Sequence, residues 1–140
     1  MQHITLTMLV LNAATILLVL GMIVIALVRR RSLPEKLPCH FGLSGRPDAW
    51  CGPSFIWFYP VLMVVVIAFD AIIDMVDPHK EGALYTIASE GVDNLFVAAL
   101  FLYMMLRTLA IANHRAEGLG RWFAPVLVTG IALMVFYHLQ

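Results

Sequence analysis

From about Ile4 to Val28 the chain runs without a single charged side chain. Roughly 25 residues of that kind are long enough to cross a bilayer with some tilt. A removable signal peptide does not fit: no Lys or Arg precedes the stretch, it is too long for an apolar signal core, and Arg29-Arg30-Arg31 follows it. It reads as a retained anchor. Three more segments share its character, at about 55–76, 92–112 and 122–139. Trp57, Phe58 and Tyr59 open the second as an interfacial aromatic girdle, and Pro60 falls in its first turn, where a missing N–H costs little. Trp122 and Phe123 anchor one end of the fourth, Tyr137 and His138 the other. In hydrocarbon each backbone amide must be satisfied within its own segment, which requires helices here and excludes open strands. The expected fold is all-α, a four-transmembrane-helix bundle forming a single membrane domain over residues 1–140.

Composition agrees: 61% of residues are hydrophobic and 13% charged, against roughly a quarter charged in soluble domains. Net charge is +0, and neither a phosphate-cradling glycine loop nor a nucleic-acid signature is visible. The expected partner of most of the surface is the lipid bilayer, with no nucleic acid. Basic residues set the expected sidedness. Arg29, Arg30, Arg31, Lys36 and Arg46 lie in the first loop, Arg115 and Arg121 in the third, and only Lys80 in the second. The positive-inside rule puts loops one and three in the cytoplasm and both termini outside.

The first loop, about 32–54, differs from the rest. Pro34 and Pro38 fix φ, Gly42 and Gly45 permit backbone closed to other residues, and Pro47-Asp48 signals a turn. The expectation is a shaped, non-helical loop offering Pro38, His40, Phe41, Gly45, Pro47, Asp48 and Trp50 to a ligand or partner; the plainer reading has it merely ending two helices. Cys39 and Cys51 are too few for a disulfide framework, and their redox state depends on the side the loop faces. Cys39, His40 and Cys51 have the ligand types of a metal site, although their spacing matches no standard zinc pattern. No cofactor is implied.

The pattern Leu33-Pro34-x-x-Leu37-Pro38-x-His40-Phe41-x-x-x-Gly45-x-Pro47-Asp48-x-Trp50 resembles a bacterial membrane domain of unknown function. That domain also forms the N-terminal part of SdpI-like proteins, whose named member confers immunity to a sporulation-delaying toxin and signals its presence. The resemblance implies membership of the domain family and a bacterial plasma-membrane location. It does not by itself carry over the immunity function, because longer SdpI-like proteins have a further helical region. It also implies a motif loop outside the cell, against the count of basic residues.

A second group of polar residues lies within apolar segments. Asp70, Asp74 and Asp77 share one helical face, and Glu90, Asp93 and Asn94 another, with His79 in the turn between. A charge at bilayer centre costs about 2.5–3.5 kcal/mol on insertion scales, so Asp70 should face the bundle interior or a wet cleft. Such carboxylates suit a divalent cation, proton transfer or a cationic partner; the plainer reading is solvated helix ends with local hydrogen bonds. Arg107 is expected to snorkel to the interface, the methionines to pack, and Gly21 and Gly130 to mark close helix contacts. Three function classes follow. The first is a non-enzymatic sensor or immunity-type protein binding a peptide, lipid or membrane protein through the first loop. The second is an ion or proton handler, which with four helices requires a homo-oligomer. The third is a membrane enzyme acting on a lipid-linked substrate, with His40 and Asp48 as acid and base.

Overall fold

The computed structural model describes residues 2–76 and 83–138, with side chains described except at 2–5, 74–75, 83–90 and 137–138. Its order is α1 (Gln2–Arg29), β1 (Leu37–Phe41), β2 (Pro47–Cys51), a 3-10 turn (Pro53–Trp57), α2 (Phe58–Val76), α3 (Ala83–Ala112) and α4 (Phe123–His138). Among the described residues three stretches are long and apolar enough to cross a membrane: Leu6–Arg29, Pro53–Ile73 and Gly91–Ala112. The fourth helix is shorter. Sixteen residues at 1.5 Å each reach about 24 Å, less than the roughly 30 Å of a hydrocarbon core.

The all-α expectation needs one addition, a two-stranded antiparallel sheet between α1 and α2. The second expected helix agrees with its structure to within a few residues, once the 3-10 turn is counted. The third begins nine residues earlier than expected. Residues 83–90 are polar enough to read as loop, yet hold neither Pro nor Gly to stop a helix. Glu90, Asp93 and Asn94 therefore lie two to three turns inside α3, not at its start.

The core is where α1, α2 and α3 meet. Thr15, Val19, Met22 and Ala26 form one buried face of α1; Ile56, Tyr59 and Met63 continue from the 3-10 turn into α2; Ala98, Met105, Thr108 and Ala112 come from α3. Alanines at these positions let the backbones approach, which is how helices associate where lipid removes the hydrophobic drive. The buried methionines fill the gaps, as expected of flexible thioethers. Tyr59 is not part of an aromatic girdle: it is 2% exposed, and its hydroxyl lies 2.7 Å from Thr108 Oγ1 between α2 and α3. Large apolar side chains such as Leu9, Leu17, Val64, Phe69 and Leu133 point outward, the pattern of helices solvated by lipid.

Of the two glycines expected at close contacts, Gly130 qualifies, since a Cβ there would fall on the Phe96 ring. Gly21 does not, having open space around it; Gly91, whose Cβ would meet Leu11 at 3.4 Å, takes that role between α1 and α3. Around the Gly130 contact, α3 and α4 border an apolar cleft of about 700 Å³ walled by Val92, Phe96, Val126 and Leu133.

Candidate partner-binding hairpin

The segment after α1 cannot stay helical, because Pro34 and Pro38 push their predecessors toward extended backbone. It folds instead as a β-hairpin. Leu37 pairs with Cys51, Pro38 with Trp50, His40 with Ala49 and Phe41 with Pro47, and irregularities on either side of His40 shift the register. Gly42 N–H donates to the Arg46 carbonyl at 2.9 Å and Gly45 N–H to the Gly42 carbonyl at 2.8 Å, closing the turn. Gly45 sits at φ +72°, a conformation that only glycine adopts without strain.

A disulfide joins Cys39 to Cys51 across the strands, so the sulfurs are held in a covalent bond and the Cys39–His40–Cys51 metal reading does not stand. The sequence shows two cysteines twelve apart, but only the hairpin brings their Cα atoms to 5.7 Å.

The motif divides by exposure. Leu37 is fully buried against the helices and Pro38 is buried beside it, so this part of the motif holds the hairpin down. Phe41 and Pro47 are half-buried. His40, Asp48 and Trp50 are exposed, with His40 Nδ1 at 2.5 Å from Asp48 Oδ1 and Trp50 47% exposed. The arrangement presents an oriented imidazole, a carboxylate and an indole face on a braced surface. Such a surface stacks on and hydrogen-bonds to a partner without having to be ordered first. Among the described residues no Ser, Thr or Cys side chain hydrogen-bonds to either member of the pair, so a nucleophile–base–orienter arrangement is not assembled.

The hairpin tip rests on the connection between α3 and α4. Leu119 N–H donates to the Gly45 carbonyl at 2.9 Å, and Leu119 is 3% exposed. Gly118 passes so close that an added Cβ would stand 2.5 Å from Gly45 O. Arg46 pairs with Glu117 at 3.6 Å, on exposed side chains where such pairs contribute little. From below, Arg107 donates to the Gly118 carbonyl and Tyr103 to the Leu119 carbonyl. Arg107 thus braces this connection instead of reaching freely for solvent; its Nε is buried with no hydrogen-bond partner among the described residues. Nothing in the sequence pairs loop one with loop three except their shared basic character, which does put them on one face.

The polar residues of the apolar segments are brought together in part. Asn94 Nδ2 donates to Asp70 Oδ2 at 2.9 Å, tying α2 to α3. Asp70 is half-buried, in keeping with the expectation that it faces the bundle interior. Asp93 lines the cleft beside α4. The side chains of Asp74 and Glu90 are not among those described, and Asp77 and His79 lie outside the described residues. Among the described residues no group of three His, Cys, Asp or Glu side chains is placed to hold a metal.

Residues 17–64 match a domain of unknown function (DUF1648). The match spans about a third of the chain, from the middle of α1 through the hairpin into the first turns of α2. It thus contains the whole motif and neither α3 nor the connection on which the hairpin rests. No curated protein and no solved structure matches the chain.

Proposed function

We propose that this chain is a bacterial plasma-membrane protein of four crossings that binds a peptide or membrane-protein partner through the outer face of the hairpin, without catalysis and without a cofactor. The observation that carries the reading is the division of the motif by exposure. Leu37, Pro38 and the Cys39–Cys51 bond fix the hairpin, while His40, Asp48 and Trp50 are left exposed and mutually oriented. A loop that only ended two helices would need the first set and not the second. The resemblance of Leu33–Trp50 to SdpI-like immunity and signalling proteins supports the same class. The Asp70–Asn94 bond favours a second reading, ion or proton handling in an oligomer, because it joins a carboxylate to two helices inside the apolar zone.

The basic residues and the disulfide support opposite sides for the hairpin. Disulfides persist in oxidising compartments, and the positive-inside rule is a statistical bias that local structure offsets. We therefore assign the hairpin and the α3–α4 connection to the outer face. The experiment treats intact cells with a membrane-impermeant reductant followed by an impermeant maleimide. Labelling of Cys39 and Cys51 before permeabilisation is expected. Labelling only after permeabilisation would move the binding face to the cytoplasm. For the binding itself, a photoreactive residue at Trp50 is expected to give a discrete cross-link that disappears in His40→Ala/Asp48→Ala. A cross-link indifferent to both substitutions would refute the site.

A further inference from the structure

Between the C-terminal ends of α1 and α3 lies a cleft of about 260 Å³ with a mixed lining. Its floor is apolar, made by Ile25 of α1 and by Leu106 and Leu109 of α3. Its rim is polar, made by Arg29, Ser32, Asn113 and Arg115. The two membrane-spanning stretches end at Arg29 and Ala112, so the floor lies in the apolar zone and the rim at its boundary.

We propose that this cleft binds an anionic phospholipid, with the phosphate between Arg29 and Arg115 and the start of an acyl chain along Ile25 and Leu106. Charge is the first support. Among the described residues neither guanidinium is in an ion pair, and the acidic side chain nearest Arg115 in sequence, Glu117, faces Arg46. Among the described residues no carboxylate lines the cleft. Two arginines there complement a phosphodiester, whereas the ammonium of a zwitterionic headgroup would find no acidic partner.

Backbone geometry is the second support. Helix C-termini carry partial negative charge that ordinarily repels anions. Here several of the last carbonyls are occupied. Ser32 N–H and Oγ donate to the Arg29 carbonyl at 2.8 and 3.1 Å, and Asn113 Nδ2 donates to the Leu109 carbonyl at 2.7 Å. Arg115 N–H donates to the Ala110 carbonyl at 2.8 Å and His114 N–H to the Ile111 carbonyl at 3.0 Å. These last two bonds form a Schellman closure with His114 at φ +57°, which fixes the backbone from which Arg115 projects. The site is therefore shaped at the backbone level, with two cations lining one cleft and several of the repelling carbonyls capped.

The proposal is independent of the hairpin's binding role and of membrane sidedness. It is tested with the purified full-length protein in detergent, titrated with phosphatidylglycerol, phosphatidylcholine or inorganic phosphate, with binding read by thermal shift and native mass spectrometry. Phosphatidylglycerol is expected to bind and raise the melting temperature, and the other two to leave it unchanged. At about 1 kcal/mol per cation near an anionic lipid surface, Arg29→Gln or Arg115→Gln should weaken binding roughly fivefold and the double variant roughly thirtyfold. Arg30→Gln should change it by less than about twofold, as an exposed charge outside the cleft. The Arg29→Lys/Arg115→Lys variant should retain most of the binding, which a purely structural need for guanidinium would not allow. Equal binding of phosphatidylcholine overturns the charge argument, and equal stabilisation by inorganic phosphate overturns the lipid. Unchanged phosphatidylglycerol binding in the double glutamine variant overturns the site.

Discussion

Replacing Gly118 with alanine tests whether the hairpin depends on the α3–α4 connection. An added Cβ would stand 2.5 Å from the Gly45 carbonyl oxygen, a backbone atom that cannot swing aside as a side chain can. The two segments must separate, breaking the Leu119 N–H bond to that carbonyl and drawing the 3%-exposed Leu119 side chain outward. A buried donor left unmade costs about 1–3 kcal/mol and uncovering a leucine about 1.5–3 kcal/mol. Partial retention of both contacts leaves an expected loss of about 3 kcal/mol for docking, on the order of a hundredfold in the closed-to-open ratio. Hydrogen exchange at the Leu119 amide, followed in detergent micelles, reads this ratio directly. Gly52→Ala is the control, because Gly52 has nothing within 4 Å of an added Cβ and an ordinary φ of −67°. Protection of Leu119 within about threefold of the parent in Gly118→Ala, a shift of roughly 0.6 kcal/mol, would refute the docking as drawn.

Other perturbations address separate parts of the molecule. Tyr59→Phe removes the buried bond to Thr108 and should lower stability by about 1 kcal/mol, seen as a lower melting temperature in detergent. His114→Gly relieves a left-handed backbone at the end of α3 and should raise stability by about 1 kcal/mol; a fall in melting temperature would contradict the Schellman geometry. Asp70→Asn retains the ability to bond Asn94, so folding should survive at a cost of about 1 kcal/mol while binding at the hairpin is unchanged. Loss of an ion or proton flux in vesicles with that variant would instead favour the ion-handling reading.

The existence and type of the helices were legible in the sequence because lipid leaves the backbone one economical solution over a charge-free stretch such as Ile4–Val28. Which face of each helix is buried was not legible. In α1 the buried Thr15, Val19, Met22 and Ala26 alternate with residues just as apolar that face outward, so periodicity carries no signal where the solvent is itself apolar. For the same reason Gly21 and Gly91 could not be told apart without their neighbours. The motif residues were visible from Leu33 to Trp50, and the turn chemistry of Gly45 with them. Their division into a buried pair, Leu37 and Pro38, and an exposed set, His40, Asp48 and Trp50, needed the packing of the hairpin on the helices. Pairings between distant segments were decided only in three dimensions. The Cys39–Cys51 bond, the rest of Gly45 on Gly118 and Leu119, and the Asp70–Asn94 bond all depend on chain geometry that brings remote residues within a few ångströms. Local sequence sets what each segment tends to become, whereas contact depends on how the segments are packed, and packing is a property of all of them together.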